Sequence, residues 1–232
     1  MSSELAVVGL GRMPYGEALA LQRDLAQRRI AREITRDMLL LVEHPPVITL
    51  GRGFKPEHLA APREFLDARG VELFEIERGG DVTFHGPGQL VGYPIYDLSE
   101  HEQDVHWFLR QLEAALIAAL AELGVEVRRN EGYTGVWIGN RKIASIGIHV
   151  KRWVTWHGFA LNVTTDLSYF DLIVPCGIAG VTMTTVQKEL AERAPRDLWG
   201  RAVDCTVLGF AEVFRQRPQM LSLEELAVRQ ER

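Results

Sequence analysis

Two side chains have the types and the local setting for nucleophilic chemistry. Cys176 lies in Ile173-Val174-Pro175-Cys176-Gly177-Ile178-Ala179-Gly180. A proline fixes the backbone before it and a glycine lets another group approach after it. The segment reads as an exposed bend. A thiol is mostly protonated at neutral pH, so a nucleophilic role requires a nearby base or cation. Lys142 can supply either. It follows the Gly139-Asn140 hairpin turn, and alternate positions from it are Ala144, Ile146, Ile148 and Val150, all apolar. Lys142 therefore begins the buried face of its strand. Desolvation there disfavours the ammonium ion, which lets the amine accept a proton. Backbone N–H groups at Gly177 and beyond are expected to help hold an oxyanion. Each residue also has a bland reading. A strand-end lysine can turn its ammonium out to water, and a lone cysteine can be a small core residue. Cys205, inside a helical stretch, takes the core role.

Histidine offers a competing base, since a Cys/His pair is the commoner route to a thiolate. His85, His149 and His157 all fall in β-patterned sequence. His85 sits in Arg78-Gly79-Gly80-Asp81-Val82-Thr83-Phe84-His85-Gly86-Pro87-Gly88-Gln89, a loop where backbone can pack against a ligand. The block lacks the order of a phosphate-binding glycine loop. No helical histidine pair or Cys/His spacing supports a metal site. Neither a metal nor another cofactor is expected.

These residues need a scaffold, and the periodicity supplies one. Strands are expected at Leu5 to Leu10, Asp37 to Val42, Val47 to Leu50 and Val71 to Ile76, with Pro45-Pro46 making a corner. Helices are expected at Tyr15 to Ile34, Arg63 to Arg69 and Gln103 to Leu123, the last stopped by Gly124. Asp81 to Pro94 reads as strand broken by a tight loop, and Val125 to Val163 is β again. Further helices follow at Thr185 to Glu192, Asp197 to Phe214 and Ser222 to Arg229. The pattern is α+β, a sheet covered by helices.

Of the 232 residues, 47% are hydrophobic and 25% charged, which places the chain among globular proteins that bury a core. One domain over 1–232 is expected. The net charge of −5 argues against a protein built to grip nucleic acid. Arg28, Arg29, Arg32, Arg128, Arg129, Arg141, Lys142, Lys151 and Arg152 could still gather on one side to meet an acidic protein. No signal peptide or membrane-spanning run is read, and two cysteines make no disulfide framework. A cytoplasmic monomer is the expectation.

The chain resembles the lipoyl(octanoyl) transferases of lipoate biosynthesis. The resemblance is carried by His44 to Gly51 (HPPVITLG), Arg78 to Pro94 (RGGDVTFHGPGQLVGYP), Arg141 to Ile148 (RKIASIGI), His157 to Val163 (HGFALNV) and Ile173 to Ile178 (IVPCGI). It implies a biotin/lipoate protein ligase-like core, a mixed sheet flanked by helices with a second small sheet. It implies that Cys176 takes octanoyl from octanoyl-acyl carrier protein as a thioester and that Lys142 serves as its base. Lipoyl domains of 2-oxoacid dehydrogenase complexes and glycine cleavage H protein would then accept the group on a lysine. Substrate would lie along Arg78, Gly79, Gly80, Asp81, Val82, Thr83, Phe84, His85, Ser145, Ile146, Gly147, Gly158, Phe159 and Ala160. The small residues among them would make room for an alkyl chain. The alternatives are an ATP-dependent lipoate or octanoate ligase and a non-catalytic module that binds an acyl group or a lipoyl domain.

Overall fold

The computed structural model describes residues 4–177 and 180–227. Its elements are β1 (Glu4–Arg12), α1 (Tyr15–Ile30), β2 (Asp37–Glu43), β3 (Val47–Leu50), α2 (Arg63–Ala68), β4 (Glu72–Glu75), β5 (Val82–His85), β6 (Gln89–Ile95), α3 (Val105–Glu122), β7 (Arg128–Asn130), β8 (Tyr133–Ile138), β9 (Arg141–Lys151), β10 (Val154–Asn162), β11 (Thr182–Met183), α4 (Val186–Leu190), α5 (Leu198–Phe214), β12 (Arg217–Met220) and α6 (Leu223–Ala227). Short 3-10 turns at Pro56–His58 and Pro175–Gly177 border the site.

Among the described residues the larger sheet runs β12-β1-β2-β6-β10-β9-β8-β7, with β11 also on β9, and the smaller sheet runs β4-β3-β5. Both sheets are mixed. β1 is parallel to β2 and β12, whereas β2, β6, β10 and β9 form antiparallel pairs in succession. The side-chain period of two explains the layers. Leu5, Val7, Leu39 and Leu41 face the core beneath α3 and α5, while Ala6, Val8, Met38 and Leu40 face the core beneath α1. A strand buried on both faces must be apolar at every position, which is why β2 reads as one apolar run. Pro45-Pro46 then ends that strand, and the chain leaves the large sheet for β3 in the small one.

The sequence expectations hold for element type and differ at ends. α1 stops at Ile30 rather than Ile34, because Arg32 takes a left-handed φ of +59° and the Glu33 and Ile34 amides both return to the Arg28 carbonyl. β11 and β12 carry no periodicity of their own. The first is two residues long, and the second contains Pro218, tolerable because β12 lies at a sheet edge. The last predicted helix is seen as Leu223–Ala227, and its final two predicted positions lie outside the described residues. The basic residues do not form one exposed face. Arg29 is buried against Asp37 and Glu100, and Lys142 is 2% exposed. Cys205 is buried in α5, in its expected core role. Among the described residues no helix is long and apolar enough to cross a membrane.

Candidate active site

The loop between β4 and β5 joins the two sheets and so creates a cleft. Arg78 donates to the Thr49 carbonyl at 2.8 Å, and the Gly79 amide donates to the Ile148 carbonyl of β9 at 2.8 Å. Between this loop and the β9–β10 hairpin lies a cavity of about 500 Å³. Its wall includes Arg78, Gly79, Gly80, Asp81, Val82, Thr83, His85, Ser145, Ile146, Gly147, Gly158, Phe159 and Ala160, together with Lys142 and Gly177. The structure thus gathers onto one surface residues that the chain spreads over 100 positions.

Phe84 departs from the predicted set. It points to the other side of β5, stacks on Tyr169 with centroids 4.7 Å apart and meets Phe170 edge-on, so its ring serves the core under the small sheet. Alternation along β5 requires this once Thr83 and His85 face the cavity side. Two of the glycines, Gly147 and Gly158, also let backbone approach closely. A Cβ on Gly147 would meet the Gly79 carbonyl oxygen at 2.9 Å, and one on Gly158 would run into the Gly92 carbonyl. Backbone occupies the space that the missing side chains leave at these two positions.

Lys142 lies in β9 with Trp137 of β8 opposite it on one side and Met183 of β11 on the other. Its side-chain nitrogen sits 5.2 Å from the Trp137 ring centroid. Its stem is held from the side by Gly135, where a Cβ would fall 2.6 Å from Lys142 Cε. Gly135 is fixed in turn by the fully buried Glu113 of α3. That carboxylate accepts the Gly135 amide at 3.0 Å and bonds of 2.6 and 3.1 Å from Arg110 and Arg129.

The side chain of Cys176 lies outside the described part of the structure, but the chain on both sides of it is placed. Before it, the Val174 amide donates to the His58 carbonyl at 2.8 Å. After it, the Thr184 amide donates to the Lys142 carbonyl at 3.0 Å and Met183 pairs with Lys142. The Gly177 amide is not directed at an oxyanion. It donates to the Val174 carbonyl at 3.0 Å, closing the Pro175–Gly177 turn. The oxyanion role expected of that N–H is corrected accordingly, and residues 178 and 179 lie outside the described part.

The three histidines singled out in the sequence, His85, His149 and His157, fit the role of base beside the cysteine poorly. His85 spends Nδ1 on Gln89 Oε1 at 2.8 Å, and burial, reinforced by nearby His44, pushes its pKa down to about 3. His157 is buried and likewise lowered, chiefly by desolvation, while His149 bonds the Glu77 carbonyl. Gln89 extends the His85 contact through Asn162 to the Thr184 carbonyl, which ties the floor of the cavity to β11.

Sequence reading missed several wall residues, including Tyr15, Tyr93, Val105, Leu109 and Tyr133. Tyr15, Val105 and Leu109 fall in stretches read as helix and Tyr93 in one read as strand, and no motif marks them. It also missed His58, whose Nδ1 meets Asp81 Oδ2 at 2.5 Å. The Lys55-Pro56-Glu57-His58 segment carries no motif that would have signalled this.

Known proteins resemble the chain throughout this region. The family described as the lipoyl protein ligase A/B catalytic domain matches residues 14–205. An octanoyltransferase of Koribacter versatilis is 47% identical over 227 residues, 96% of this chain and 88% of its own. One of Gloeobacter violaceus is 53% identical over 177 residues, 76% of this chain and 78% of its own. Among solved structures, lipoate-protein ligase A bound with ATP superposes with a TM-score of 0.76 at 18% identity, covering 97% of this chain and 91% of that one. At that identity the likeness speaks for the fold alone.

Proposed function

The chain belongs to the lipoyl protein ligase A/B catalytic-domain family and groups with its octanoyltransferases, and from this premise we propose a complete reaction for its cavity. The chain acts as one catalytic domain over 1–232. It moves octanoyl from octanoyl-acyl carrier protein to a lysine of a lipoyl domain, such as those of 2-oxoacid dehydrogenase complexes or glycine cleavage H protein. Cys176 is the intermediate carrier.

One observation supports this best: the segment bearing Cys176 is tied to the strand bearing Lys142, and Gly177 and Lys142 line the same cavity. The Cys176 sulfur attacks the donor thioester carbonyl while Lys142 takes the thiol proton. When the donor C–S bond breaks, the Lys142 ammonium returns that proton to the departing thiolate. The apolar stretch of wall from Ile146 to Ile148 and Phe159 to Ala160 receives the alkyl chain, and Arg78, Asp81, Thr83, His85 and Ser145 supply the polar part of the surround. A free thiol nucleophile suits the reducing cytoplasm, the proposed location. The enzyme works as a monomer.

Mixing the protein with octanoyl-acyl carrier protein, without ATP, should give a single octanoyl mass increment that hydroxylamine removes. Cys176→Ser should give none, and Lys142→Ala should form the adduct at least ~100-fold more slowly. An adduct that forms only with free octanoate and ATP, and survives Cys176→Ser, would refute the transfer reaction in favour of an ATP-dependent ligase.

A further inference from the structure

The second half-reaction moves its proton from a different nucleophile, the amine of the acceptor lysine. When a lysine amine attacks the octanoyl thioester, its nitrogen becomes cationic and must lose a proton before the amide is formed. Lys142, which exchanges its proton with the donor thiol, is 2% exposed within the cavity wall.

A second acid–base pair stands beside the cysteine turn, at a more accessible place. His58 Nδ1 lies 2.5 Å from Asp81 Oδ2, and the other Asp81 oxygen accepts the Val82 amide at 2.7 Å, which fixes the carboxylate. A carboxylate on Nδ1 selects the tautomer whose Nε2 carries a lone pair, the logic of a carboxylate-oriented general base. The pair abuts the residue after Cys176. A Cβ placed on Gly177 would lie 2.5 Å from Asp81 Oδ2 and 3.1 Å from His58 Cε1, the ring carbon next to Nε2. Asp81 and Gly177 both line the cavity. The two side chains are 17% and 10% exposed, so the pair sits at the rim rather than in the interior. The backbone holds it there, since the Val174 amide donates to the His58 carbonyl and Leu59 pairs with Ile173.

We propose that His58, oriented by Asp81, is the proton acceptor for the attacking lysine in the second half-reaction, an assignment that rests on the transferase reading above. The acceptor nitrogen forms the C–N bond, the Cys176 C–S bond breaks, and the amine proton passes to His58 Nε2. From there it returns to the Cys176 thiolate, which regenerates thiol and neutral imidazole.

The test isolates octanoyl-enzyme and measures single-turnover loss of the acyl group to two acceptors. One is a lipoyl domain with its free lysine. The other is a small thiol, assayed above its pKa so that it attacks as a thiolate and needs no base. His58→Gln should slow transfer to the lysine by ~100-fold while acylation and transfer to the thiolate stay within about twofold of wild type. Asp81→Asn should slow the lysine step by about tenfold or more. Equal slowing of both acceptors would reduce the pair to a brace for the turn and overturn the proposal. So would unchanged lysine transfer in His58→Gln. If wild type forms no octanoyl-enzyme at all, the transferase reading itself fails and this assignment falls with it, a result recognisable before any variant is made.

Discussion

Gly135→Ala should disable the site through Lys142 without replacing a reacting group. The glycine has φ of +130°, and an added methyl would lie 2.6 Å from Lys142 Cε, 3.3 Å from its Nζ and 2.6 Å from the Ala144 carbonyl oxygen. Carbon atoms rest about 3.5–4.0 Å apart, so Cε must withdraw by about 1 Å or β8 must move away from β9. Either movement misplaces the amine, and a displacement of about 1 Å costs ~100-fold in rate, or about 2.7 kcal/mol of barrier. The matched control is Gly139→Ala, at φ of +59° with nothing within 4 Å of the new methyl. It carries backbone strain of roughly 1–2 kcal/mol but leaves Lys142 alone. Thermal melts would confirm that both variants are folded at the assay temperature, and steady-state turnover with saturating donor would be compared. Retained turnover in Gly135→Ala, or an equal loss in Gly139→Ala, would refute the claim that Gly135 positions the lysine.

Two further outcomes follow from the packing. Burial lowers His44 to about 4 and His85 to about 3 from an ordinary 6.5, so the unfolded chain binds more protons in acid. Their contribution is complete above pH 6.5 and is lost as pH falls toward their folded values, by about 2 kcal/mol each at pH 5. Urea unfolding at pH 5 and pH 7.5 measures the drop. His44→Gln should flatten it by about 2 kcal/mol, and an unchanged slope would contradict the assignment. Phe84→Leu should lower stability by about 1 kcal/mol through its contacts with Tyr169 and Phe170 and leave the KM for donor unchanged. A raised KM at unaltered stability would return Phe84 to the cavity wall.

Much of the scaffold is legible along the chain because helices and strands declare themselves within a few residues. The run from Asp37 to Val42 reads as strand because both its faces are buried, and the heavily apolar sequence from Gln103 to Leu123 holds the helix that packs under the large sheet. The Gly139-Asn140 turn and the alternation after it placed Lys142 on an inward face, and the structure puts it there at 2% exposure. The same local logic overextended α1, because the left-handed Arg32 that ends it leaves no periodic mark.

What the sequence by itself determined is therefore the type of each long element, the inward direction of Lys142 and the bend at Pro175-Cys176-Gly177. Only the tertiary structure decided which sheet each strand joined, that Phe84 turned to the core, and that the Gly177 amide was consumed within its own turn. It alone brought His58 to Asp81 across 23 residues and Lys142 to Met183 across the cysteine segment. The reason is one of range. Periodicity records which face of an element is buried, whereas a site is made by elements distant in sequence whose meeting depends on the packing of both sheets at once.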